Sequence, residues 1–106
     1  MVWYKHLYVG HLASRRRKKL MHAIEEGNYP PSVYVVILPE GKGSQLEIMS
    51  ASELRHAWIR EHCRMVVAIA QGKTEAYSIV ERLAGDVYAS GEDISIREWL
   101  IRSCEQ

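Results

Sequence analysis

Apolar and polar positions alternate over residues 3–9: Tyr4, His6 and Tyr8 fall on one face, and Trp3, Lys5, Leu7 and Val9 on the other. A period of two, rich in aromatic residues, predicts a strand, and Gly10 closes it. The period then lengthens. Ala13, Leu20 and Ile24, with the stem of one arginine, make a narrow apolar stripe on a helix over 14–26. Gly27 and Asn28, then Pro30 and Pro31, end that helix. Glycine accepts the left-handed cap, and proline cannot continue the hydrogen-bond ladder.

Two unbroken apolar runs follow, at 33–38 and 65–70. Each is far shorter than the roughly 20 residues of a membrane helix, so both read as strands, the later one over 64–70. The turn-rich stretch 39–44 leads to a third strand over 45–49, which makes a hairpin with the second. Ser50 and Glu53 have capping-box spacing, so a short helix to His62 is expected, with Leu54, Ala57 and Trp58 inward. Gln71 and Gly72 turn into the clearest helix, 74–89, where Ala76, Val80, Leu83, Ala84 and Val87 recur at helical spacing. A last short helix opens on a second capping box, Ser95 to Glu98, and carries Ile96, Trp99, Leu100 and Ile101.

This βαββαβα order, with its additional C-terminal helix, predicts an α+β domain spanning 1–106. The expected architecture is a two-layer sandwich on a four-stranded, mostly antiparallel sheet, in the ferredoxin-like split βαβ order. Such a fold covers one face of the sheet with two helices. Yet the second and fourth strands are apolar at every inner position, as strands covered on both faces are. The helix over 74–89, the tail at Trp99 or a second copy of the chain must therefore cover the other face, and a homodimer is expected.

Charge changes this picture at one place. The chain has 14 Lys and Arg against 13 Asp and Glu, for a net +1. Five of those cations are consecutive: Arg15, Arg16, Arg17, Lys18 and Lys19. The remaining nine basic and 13 acidic residues give the body a charge of −4. The run begins a helix, where the macrodipole disfavours cations, and Glu25 and Glu26 end it, where the dipole disfavours anions. No carboxylate lies four residues on from any of the five to compensate. Either acidic groups of this chain or of a second copy answer the run, or it is a binding site for phosphate, a nucleotide or a nucleic-acid backbone.

Other chemistry is thinner. An RNA-binding sheet would stack bases on Tyr4, His6 and Tyr8, but the third strand would then need rings of its own. That strand has none, and the chain has no Phe. Packing beneath a helix or in a dimer seam explains the three rings better. Gly72-Lys73-Thr74 has the ending of a phosphate-binding loop, but the glycine required five residues earlier is Val67, which excludes a nucleotide hydrolase of that type. His6, His11, His22, His56 and His62 include no pair at helical ligand spacing, and no HExxH occurs, so no metal is expected. Cys63 and Cys104 form no CxxC and read as two reduced thiols. Trp3, Trp58 and Trp99 are expected as large core pieces. No nucleophile elbow, GxGxxG loop or paired carboxylate appears, so no catalytic residue and no cofactor is assigned. The N-terminus lacks the pattern of a signal peptide, and a cytoplasmic location is expected.

The opening Trp3-Tyr4-Lys5-His6-Leu7-Tyr8-Val9-Gly10, followed by a basic helix, resembles a group of small uncharacterised bacterial proteins. The similarity covers that opening, the basic helix and the unit over 65–89. It implies a bacterial cytoplasmic protein and brings no activity with it. The reading is a homodimeric binding module whose basic helix start holds an anionic partner. A nucleic-acid-binding protein using residues 15–19, and an enzyme on a ferredoxin-like scaffold, are the alternatives.

Overall fold

The computed structural model describes residues 1–41 and 45–105; the 39–44 connector thus lies partly outside the described residues. Strands β1 (Trp3–Val9), β2 (Val33–Pro39), β3 (Glu47–Ser50) and β4 (Cys63–Gln71) form one sheet in the order β1-β4-β2-β3. β2 pairs antiparallel with both β3 and β4, whereas β1 pairs parallel with β4. Helices α1 (Arg17–Glu25), α2 (Ala57–His62), α3 (Lys73–Ala89) and α4 (Ile96–Cys104) complete the fold, with 3-10 turns over Ser14–Arg16 and Ala51–Arg55. The protein is α+β with a four-stranded mixed sheet.

The ferredoxin-like pattern is reached only in part. β1 stands at an edge beside β4 and parallel to it, and the helices divide between the two faces, giving three layers and not two. The cause is the apolar character of β2 and β4, which no single helical layer can bury. On one face Val33, Val35, Ile37, Val66 and Ile69 pack with Leu20 and Ile24 of α1, Leu54 of the second 3-10 turn and Ile59 of α2. On the other, Val36, Leu38, Val67 and Ala70 pack with Ala76, Ile79 and Leu83 of α3 and Leu100 of α4. The second face is covered by α3 and α4 of the same chain, that is, by the helix over 74–89 and the tail at Trp99, and not by a second copy.

Local departures follow from backbone geometry. The helix expected over 50–62 breaks at His56, whose ψ of 125° is extended. The break resets the helical phase, so Ile59 turns inward and Ala57 and Trp58 are exposed, Trp58 at 65%. The Ser50 side chain accepts from the amide of Ser52, not from that of Glu53. In α3 the buried positions are Ala76, Ile79, Leu83 and Val87, while Ala84 faces outward. At α4 the expected cap forms: the Ser95 hydroxyl accepts from the Glu98 amide at 3.1 Å.

Candidate anion-binding surface

β1 and β4 are parallel neighbours, so their carboxyl ends lie together. The chain leaves β1 through Gly10 toward α1 on one face and leaves β4 through Gly72 toward α3 on the other. In open sheets the crevice between two such diverging connections is a common ligand site. Here it is a cavity of about 500 Å³ whose lining includes Gly10, His11, Gln71, Glu75, Ser78 and Arg82.

The basic run stands beside it. Arg15 and Arg16 lie on the 3-10 turn, and Arg17, Lys18 and Lys19 form the first turn of α1. All five are exposed, because the segment is anchored to the core by Ala13, Leu20 and Ile24, with Met21 packed partly against it. Among the described residues none of the five is in an ion pair; the pairs present are His22–Glu26, His62–Glu47 and Arg102–Glu98. The −4 body therefore does not answer the run by direct contact among those residues. One hydrogen bond ties the run to the strand ends, from Arg16 Nη1 to Gln71 Oε1 at 3.5 Å.

The sequence gives little notice of a second feature, the carboxylate of Glu75. One oxygen accepts from the Leu12 amide and the other from the Gln71 amide, both at 2.8 Å. It thus joins the loop after β1, the end of β4 and the first turn of α3. Gly10 makes this possible, since a Cβ there would sit 1.8 Å from Glu75 Oε1. Gly72, with φ of +90°, turns β4 into α3 in a conformation that suits glycine. The spacing Gly10, Glu75 is the only sequence signal, and it is not local.

The remaining candidates are structural. Tyr4 is buried and shares a hydrogen bond with the Ser103 hydroxyl of α4; Tyr8 donates to Asp86 of α3 beneath the Arg82 guanidinium. Burial, then the bond to Asp86, hold the Tyr8 hydroxyl far above its ordinary range, so it is a donor and not a base. With two of the three rings packed under helices, the sheet offers no stacking platform. His6 is exposed at the edge of Tyr4, His56 stacks near Trp58, and His62 meets Glu47 at 2.8 Å. Among the described residues no three His, Cys, Asp or Glu side chains gather where they could hold a metal ion. Cys63 and Cys104 are free thiols, and burial pushes Cys63 up to about 11. Trp3 and Trp99 are partly buried against the two cores, and Trp58 stands out in solvent. Among the described residues no helix is long and apolar enough to cross a membrane.

Comparison with protein-family models, with curated proteins and with solved structures finds no match to this chain.

Proposed function

We propose that this chain is a small binding module that receives an anionic partner on Arg15, Arg16, Arg17, Lys18 and Lys19. One observation supports the reading most: all five cations are exposed, and among the described residues none is in an ion pair. Like charges crowded at a helix start cost the fold a few tenths of a kcal/mol per pair, about the scale that an external anion can offset.

Nucleic-acid binding is the second reading, and the spread of the cations favours it. Consecutive helical residues point about 100° apart, so five of them fan around the helix start and cannot close on one compact phosphate. An extended polyanion can meet them in turn. The test is titration of a short fluorescein-labelled DNA duplex and of poly-glutamate at about 50 and 200 mM salt, where electrostatic binding weakens steeply. The same titrations are run with the five residues changed to Gln. Salt-dependent binding that the variant loses supports the anion surface; binding of the duplex alone selects the second reading. Flat titrations with both probes remove both.

Homodimerisation draws no support from the sheet, whose second face α3 and α4 already cover. Light scattering at micromolar concentration that returns the 12.2 kDa monomer would remove it. No described cluster favours the enzyme reading.

A further inference from the structure

The crevice at the carboxyl ends of β1 and β4 already holds an anion, and it belongs to the protein. The Leu12 and Gln71 amides, which point at Glu75, are the kind of donors that an external phosphate would use there. Both are taken. What the carboxylate grips is the loop from which the basic run springs. Within that loop the Gly10 amide bonds to the Ile69 carbonyl, the Ala13 amide to the Gly10 carbonyl and the Arg16 amide to the Ala13 carbonyl. The Arg17 amide then bonds to the Ser14 carbonyl. The first three bonds link Ile69, Gly10, Ala13 and Arg16 in series, and Glu75 holds the loop between Gly10 and Ala13, at Leu12.

We propose that Glu75 is a positioning residue for the anion surface: it fastens the 10–13 loop to β4 and α3 and so fixes the direction in which residues 15–19 are presented. This rests on the anion-surface reading for its functional consequence, but the clasp itself does not. An anion therefore meets the run from outside, and the crevice stays reserved for Glu75.

The sign of one substitution separates positioning from plain electrostatics. Glu75→Gln removes a negative charge near the run and raises the net charge of the chain by one. If Glu75 acted only through its charge, a polyanion would bind the variant more tightly. If it positions the run, binding weakens, because an amide offers one acceptor oxygen where the carboxylate offers two, and one of the two backbone donors loses its partner. Losing the use of about one cation lowers the log–log salt slope by about one and weakens binding about fivefold at low salt.

The experiment has two arms on the intact chain. In the first, the labelled DNA duplex is titrated into wild-type protein and Glu75→Gln over a range of salt. Weaker binding with a shallower slope supports the proposal; equal or tighter binding overturns it. In the second, amide hydrogen exchange is followed by NMR without any ligand. Faster exchange in the variant at Leu12 or Gln71 that extends to Ala13, Arg16 and Arg17 supports it, and unchanged exchange, or a change confined to Leu12 and Gln71, overturns it. If wild-type protein does not bind the duplex, the exchange arm alone decides whether Glu75 positions the loop. Failure of the anion surface is read from wild-type titrations, and failure of the clasp from exchange.

Discussion

The starts of α1 and α3 stand at the same end of the same two strands and are built in opposite ways. α3 begins with Glu75 in its first turn, where the macrodipole favours an anion, and drives Ala76, Ile79, Leu83 and Val87 into the core. α1, which like α3 lacks a side-chain cap, has no acidic residue in its first turn, five cations at or just before it, and two buried anchors of its own, Leu20 and Ile24. A first-turn carboxylate answers the macrodipole at one helix and is missing at the other, a few residues from a shared crevice. The difference separates a helix that holds the fold together from one whose start the fold presents.

Substitution in the core of α3 tests the holding side most severely. Leu83 is fully buried beneath the sheet, so Leu83→Ala is expected to lower unfolding stability by about 3 kcal/mol through lost burial and an unfilled cavity. The denaturant midpoint measures it, and a loss below about 1 kcal/mol would deny α3 that role.

Gly10 tests how tightly the two starts are joined. Gly10→Ala drives a Cβ into the Glu75 carboxylate, and the resulting shift is expected to cost about 1–3 kcal/mol. Because Gly10→Ala and Glu75→Gln break the same clasp, their combined cost should fall short of the sum by about 0.5 kcal/mol or more. Strict additivity would mean that the two residues act separately.

A smaller effect, of opposite sign, is expected at the start of α1. Arg17→Glu places an anion in the first turn and removes one of five crowded cations, so stability should rise by roughly 0.3–1 kcal/mol at low ionic strength, read as a higher melting temperature. The gain should shrink as salt is added. A destabilising result would show that Arg17 is already answered within the fold. Cys63 gives the least effect on the comparison, since it lies at the far end of β4. With its thiol pushed up to about 11, it should be alkylated at mildly alkaline pH about tenfold more slowly than an ordinary cysteine. Mass spectrometry of iodoacetamide-treated native protein follows it.

Much of the fold was legible in the chain because each element carries its own period. The alternation over 3–9, the apolar runs of β2 and β4, and the helical spacing of α3 are local signals, and the observed bounds, Trp3–Val9, Val33–Pro39, Cys63–Gln71 and Lys73–Ala89, lie within one residue of the expected ones. The need for cover on both sheet faces was legible too. What the periods could not say was which side each helix takes, since a helix after a strand can pass to either face. A break such as that at His56 was also hidden, because one extended residue between two short helical turns leaves no mark on composition. The basic run was plain as a violated rule. Its exposure and lack of ion pairs needed the placement of every described carboxylate.

The sequence by itself determined the elements, the apolar strands that require two covering layers, and a cationic stretch without local compensation. These are properties of residues close along the chain, set by hydrophobic periodicity, capping and charge spacing. Only the tertiary structure decided that β1 runs parallel to β4, that α3 and α4 supply the second layer, and that Glu75 reaches across 63 positions to the Leu12 amide. Such contacts depend on which surfaces meet after the chain collapses. A carboxylate with two vacant oxygens and a loop with a bare amide become partners only where packing has already brought them within hydrogen-bond reach.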